Sequence, residues 1–198
     1  MSRTPNSRKE TTHERIVEIA ARAVRRNGYA GVGIAEVMKE AGLTHGGFYA
    51  HFKSRDALLV EALEHASRER SEAVSRAVKQ GAGAGISAFR TLVESYLSEQ
   101  QIVSCEAGCP IAALASEMPR QAPTVREASA VRVRRLIDVV RATLPKQHRA
   151  SASVVAGTLV GTLQLSRALG DNAEGRAVLS NARKALISRF DAHDGGGS

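Results

Sequence analysis

The run Ala41–Phe52, AGLTHGGFYAHF, sets hydroxyl, imidazole and aromatic side chains around the adjacent glycines Gly46 and Gly47. Thr44, through its hydroxyl and the helix N-terminus it opens, suits a phosphate. Tyr49, His51 and Lys53 suit a nucleic-acid backbone, Tyr49 through its hydroxyl. His45 offers both a donor and an acceptor, which suits a base edge. Each glycine costs about 1 kcal/mol relative to alanine in a helix. In return, a backbone without Cβ atoms can approach phosphates and bases closely. The chemistry is that of DNA recognition.

Such side chains need a scaffold, and the flanking sequence supplies one. Ile34–Ala41 forms a short amphipathic pattern stopped by Gly42, and Thr44 can cap the next helix. Two short helices joined by Gly42-Leu43-Thr44 have the length of a helix-turn-helix, whose second helix enters the major groove. Thr11 and Glu14 form a capping box ahead of Ile16, Ile19, Ala20, Ala23 and Val24, and Gly28 stops that helix. Ser54 caps a longer helix with Asp56 in its first turn and Leu58, Leu59, Ala62, Leu63 and Ala66 inward, ending near Gln80. Phe48 and Phe52 are expected to pack beneath the recognition stretch.

The remainder reads as helices too. Gly81–Gly85 is a break, followed by an apolar stripe of Ile86, Phe89, Leu92, Val93, Tyr96 and Leu97. Thr124 and Glu127 form a second capping box before a helix with Ala128, Val131, Leu136, Val139 and Val140 inward. Its arginines, Arg132, Arg134, Arg135 and Arg141, are expected on a solvated face, with Arg134 and Asp138 paired. Residues 151–169 are apolar nearly all round, which predicts burial. A last helix carries Val178, Leu179, Ala182, Leu186 and Phe190. The fold expected is all-α. A basic arm (1–10) precedes a helix-turn-helix domain (11–55, extending to about 70). An effector-binding and dimerisation domain (71–190) and a disordered tail (191–198) follow.

The 198 residues are 43% hydrophobic, 24% charged and 4% aromatic, with a net charge of +8 that favours a polyanionic partner. The N-terminus has no apolar signal segment, and no stretch reads as a membrane span, so a cytoplasmic protein is expected. No cofactor motif is present. A Gly-x-Ser-x-Gly elbow is missing, as are a phosphate-cradling Gly-x-x-x-x-Gly-Lys and a His-Glu-x-x-His, so an enzyme is not expected.

From about Glu14 to Leu63 the chain resembles the TetR/AcrR family of bacterial transcriptional regulators. The resemblance rests on Ile16, Ala20–Ala23, Gly28-Tyr29, Ile34–Val37, Ala41–Thr44, Gly47, Tyr49, His51-Phe52, Ser54–Asp56 and Leu58. It implies a homodimer, a three-helix DNA-binding domain, a C-terminal domain that dimerises and binds an inducer, and, for most members, repression. Val32 and Gly33 stand where family members often carry Thr or Ser, so Gly33 can offer a phosphate only its backbone N–H. Met38 replaces a common Ala and can fill core space.

In the effector half, Gly157 and Gly161 permit close helix–helix approach and a four-helix dimer interface. A dimer would set two recognition helices about 34–36 Å apart, suited to a palindrome. A pocket for a small hydrophobic or weakly polar effector is expected among Phe89, Val93, Tyr96, Cys109, Leu114, Met118, Val139, Leu159 and Leu163. Cys105 and Cys109 suit a thiol sensor at a helix start, or Cys109 an inert apolar filler. Complementary metal ligands are lacking. Other readings left open are an activator without a ligand and a basic protein coating DNA without sequence preference.

Overall fold

The computed structural model describes residues 5–191. Their regular elements are helical: α1 (Pro5–Asn27), α2 (Ile34–Glu40), α3 (Arg55–Gly83), α4 (Ala88–Tyr96), α5 (Gln100–Val103), α6 (Pro110–Leu114), α7 (Pro123–Thr143), α8 (Ala152–Leu169) and α9 (Ala173–Phe190). Three 3-10 turns join them, the first being His45–Ala50. Among the described residues no helix is long and apolar enough to cross a membrane.

Both expected capping boxes lie inside helices. α1 starts at Pro5, so residues 5–10 of the expected arm are helical and Thr11 is no cap. α7 starts at Pro123, a residue whose fixed φ suits a first helical position. The expected tail beyond Asp191 and the first four residues of the expected arm lie outside the described residues.

The chain forms two compact units. The first comprises residues 1–70 together with 105–132, and the second comprises 71–104 together with 133–198. A sequence boundary near residue 70 therefore describes only one of the crossings between them. The missed part is 105–132, which packs with the N-terminal helices.

In the first unit, Ile16, Ile19, Ala20, Ala23 and Val24 of α1 meet Val37 and Met38 of α2 and Leu58, Leu59, Ala62, Leu63 and Ala66 of α3 in one buried core. Met38 fills that core, as its adaptable thioether permits. Segment 105–132 is tied on by buried polar groups. Arg25 donates to Glu69 Oε2 at 2.9 Å and to the Gly108 carbonyl at 3.4 Å. The Tyr29 hydroxyl and Ser129 Oγ are 3.0 Å apart, and the Tyr29 N–H donates to Glu117 at 3.0 Å. Burial raises the Tyr29 phenol above its ordinary range.

In the second unit, Phe89, Leu92, Val93, Tyr96 and Leu97 pack with Leu159, Leu163, Leu179, Leu186 and Phe190. α8 and α9 approach closely at Gly175, where a Cβ would collide with the Gly170 carbonyl oxygen. Ser166 Oγ donates to the Gly175 carbonyl at 2.8 Å. Ile86 is exposed because it follows the Gly85 turn rather than joining α4.

Two further expectations fail on burial. Val131 is exposed, and α8 is buried on one face only, leaving Val154, Leu165 and Leu169 in solvent. Asp138 pairs with Arg141 rather than Arg134, and Arg132 instead pairs with Glu64 on α3.

Candidate nucleic-acid interface

The turn between α2 and the recognition stretch is set by Gly42. Its φ of +70° is a left-handed conformation that side chains with a Cβ disfavour. The Gly42 N–H donates to the Lys39 carbonyl at 2.9 Å and the Leu43 N–H to the Met38 carbonyl at 2.8 Å. These two bonds form a Schellman motif, closing α2 and turning the chain sharply. Thr44 follows in extended conformation at the N-cap position, but its side chain makes no cap hydrogen bond. The Thr44 hydroxyl therefore remains available at the surface, a correction to its expected capping role.

The recognition element is a 3-10 helix, His45–Ala50. Phe48 and Phe52 anchor it from below, buried and stacked with centroids 5.4 Å apart. Tyr49 lies edge-on to Phe48 at 5.2 Å and is 67% exposed. Thr44, His45, Gly46 and Lys53 are exposed, and Gly47 is half-buried. Most of the expected contact residues thus share one accessible stretch.

Neither recognition glycine is demanded by the fold. A Cβ at Gly46 would meet nothing within 4 Å. One at Gly47 would meet Met38 Cε at 3.6 Å and Thr44 Oγ1 at 3.8 Å, ordinary contacts. Neither has a positive φ. Neither packing nor backbone conformation within the described residues therefore requires these two residues of low helix propensity.

His51 differs from its neighbours. It is half-buried, and its Nδ1 is enclosed with no hydrogen-bond partner among the described residues. Burial, then the nearby His13 and Lys9, lowers its pKa below the usual histidine value. His13 stacks on Phe52 at 4.5 Å, and its Nε2 is 2.6 Å from Glu61 Oε2. Lys9, His13 and His51 share a small cavity of about 370 Å³ with Glu10, Glu14 and Ala50. Sequence reasoning missed His13 and Lys9, since their approach to His51 joins residues about forty apart in the chain, which no local spacing signals.

Gly33 is an exposed N-cap of α2 without a side-chain cap, and Val32 is buried. Arg55 fixes this entry: its Nε donates to the Val32 carbonyl at 3.1 Å and its guanidinium also reaches the Tyr29 carbonyl. Arg55 appears in the sequence only as part of a motif, and its positioning role becomes visible through these bonds.

The residues expected to line a ligand pocket are core residues. Phe89, Val93, Tyr96, Leu159 and Leu163 are buried in the second unit, with Val139 half-buried. Cys109, Leu114 and Met118 are buried in the first unit. Cys109 does occupy the N-cap of α6, but α6 has only five residues and the cysteine is 4% exposed. Cys105 is half-buried. An electrophile would need local opening to reach Cys109.

Residues 16–62 match the family described as bacterial regulatory proteins, tetR family. Over that segment the chain is similar to the tetR family. It is 33% identical over 127 residues to the uncharacterized HTH-type transcriptional regulator Rv0196 of Mycobacterium tuberculosis, covering 60% of this chain and 62% of that one. The chain thus spans less than two thirds of the length of this curated relative. In fold, the chain is similar to a TetR-family transcriptional regulator from Agrobacterium tumefaciens, with TM-score 0.75 and 22% identity over 93% of this chain and 100% of the other. A second TetR regulator, from Chloroflexus aurantiacus, gives TM-score 0.72 and 23% identity over 92% and 96%. The family consists of regulatory proteins rather than enzymes.

Proposed function

We propose that this protein is a transcriptional repressor of the tetR family that binds a palindromic DNA operator as a homodimer in the cytoplasm. The observation that carries the reading is the exposed row Thr44, His45 and Tyr49 around two glycines that the fold leaves sterically free. His45 reads a base edge, while Thr44, Tyr49, His51, Lys53 and the Gly33 backbone hold phosphates. Gly46 and Gly47 let the backbone lie against the duplex.

The dimer has separate support. Val154 and Leu165 are 66% and 62% exposed on α8, on the side where Cβ atoms at Gly157 and Gly161 would meet nothing. An apolar face with room for close approach suits a second copy of the same helix. A small apolar effector, seated among Phe89, Val93, Tyr96, Leu159 and Leu163, would release the DNA by forcing these packed side chains to rearrange.

Selection from a random pool of duplexes tests the DNA reading, because the protein itself picks out its operator from the pool. A palindrome should be enriched, with half-sites spaced by about one helical turn or a multiple of it. Retention of the pool without sequence enrichment would overturn sequence-specific binding and leave only electrostatic affinity.

A further inference from the structure

The second unit holds a groove of about 930 Å³ between α4 and α9, a volume in the range of small-molecule sites. Arg90 and Glu94 line it from α4, and Arg183, Lys184 and Ile187 from α9. Arg90 is already balanced. Its Nε donates to Asp191 at 2.8 Å, the Asp191 side chain is 7% exposed, and it also takes the Ser87 hydroxyl. Glu94 adds a second negative field on Arg90.

Arg183 and Lys184 have no ion-pair partner among the described residues. Ser180 and Ser188 also line the groove. They stand four residues either side of Lys184, so both hydroxyls share its face of the helix. Ile187 supplies an apolar edge beside them. Two unbalanced cations, two hydroxyl donors and a short apolar wall together match an oxyanion carried on a small apolar body. Helical periodicity puts Val178, Ala182 and Ala185 on the opposite flank of α9. A partner helix packed on those small residues would therefore leave the groove open.

We propose that the α4–α9 groove binds a small oxyanion-bearing molecule, with Arg183 and Lys184 as its charge partners and Ser180 and Ser188 as its hydrogen-bond donors. Carboxylates and phosphate esters share this chemistry. The proposal is independent of operator recognition, and its test needs no DNA. The full chain is titrated calorimetrically with inorganic phosphate and with hexanoate, at ionic strength held constant with chloride. Saturable one-to-one binding of either probe is expected. Tighter hexanoate binding would identify carboxylates with an apolar body, and tighter phosphate binding would identify phosphate esters. The double substitution Arg183→Gln, Lys184→Gln should weaken binding at least tenfold while leaving the ligand-free thermal midpoint and DNA affinity unchanged. Absence of saturable heat with both probes, or equal affinity in the double variant, would overturn the proposal.

Discussion

The recognition turn and the outer face of α8 each carry a glycine pair that the fold does not require. Cβ atoms at Gly46, Gly157 and Gly161 would meet nothing, and one at Gly47 only ordinary contacts. Each region also holds large side chains in solvent: Tyr49 in one, Val154 and Leu165 in the other. What separates them is chemistry. The recognition turn surrounds its glycines with hydroxyls, imidazoles and an ammonium, whereas the large side chains that α8 exposes beside its own are the aliphatic Val154 and Leu165. The first surface suits a hydrated polyanion and the second a copy of itself. Gly175 is the counterexample, because its missing Cβ is required by the protein's own α8–α9 contact.

The largest effect should come from Gly47→Leu. The local packing tolerates a Cβ, so helicity and thermal midpoint should be nearly unchanged. A side chain between the turn and the duplex should lower operator affinity about a hundredfold, roughly 3 kcal/mol. Fluorescence anisotropy with the selected operator checks this. Full-strength binding would mean that the glycines serve neither fold nor DNA.

The two regions are unequally legible in the sequence. The recognition turn is specified by local signals: Gly42 must adopt a positive φ, the Ser54 hydroxyl accepts the Ala57 N–H at 3.1 Å, and Phe48 and Phe52 must go inside. Such signals sit within a few residues of one another. α8 is legible only as an apolar helix, and composition cannot distinguish burial within a subunit from burial between subunits. The placement of 105–132 with the N-terminal helices is illegible for a related reason. It rests on pairs such as Tyr29–Ser129 and Arg25–Gly108, far apart in the chain with no motif linking them. The 3-10 geometry at His45–Ala50 also escapes, since a capped α-helix and a 3-10 turn share their starting residues.

Leu165→Glu probes the apolar member of the comparison. At 62% exposure the carboxylate is solvated in a single subunit, so the fold should persist. Across a two-fold axis the same substitution buries two unpaired charges. The dimer dissociation constant should rise about thirtyfold, roughly 2 kcal/mol, by sedimentation velocity. An unchanged constant would remove α8 from the interface.

His45→Ala separates reading from holding. Loss of one good base contact costs about 1–3 kcal/mol and relaxes preference at one position of each half-site. Repeating the duplex selection with the variant checks this. A uniform loss across sequences would turn His45 into a phosphate contact.

His51 makes a pH prediction with a definite sign. Its folded-state pKa is lowered by burial, then by His13 and Lys9, so the folded protein holds fewer protons there than the unfolded chain. Its contribution to stability is present above the unfolded value of about 6.5 and is lost as pH falls through the folded value. Protonation also adds a cation beside the DNA, so operator affinity should rise as pH falls below the ordinary histidine value, by about fivefold once His51 carries its charge. His51→Asn should remove that part of the slope and retain whatever the other histidines contribute.

Tyr49→Phe is expected to have the smallest effect, and it tests the polar character of the recognition turn most directly. The phenyl ring keeps its edge-on contact with Phe48, so nothing changes beneath it. Only an exposed hydroxyl is lost. Because a hydrogen bond exchanged with water contributes little net energy, affinity should fall about threefold, roughly 0.6 kcal/mol. The loss should be the same for operator and for unrelated duplex, since phosphates carry no sequence. A loss confined to the operator would move Tyr49 from the backbone to a base edge. Unchanged affinity for both would leave His51 and Lys53 to hold the phosphates on that side, and the exposed ring would then serve the turn through Phe48 rather than the DNA.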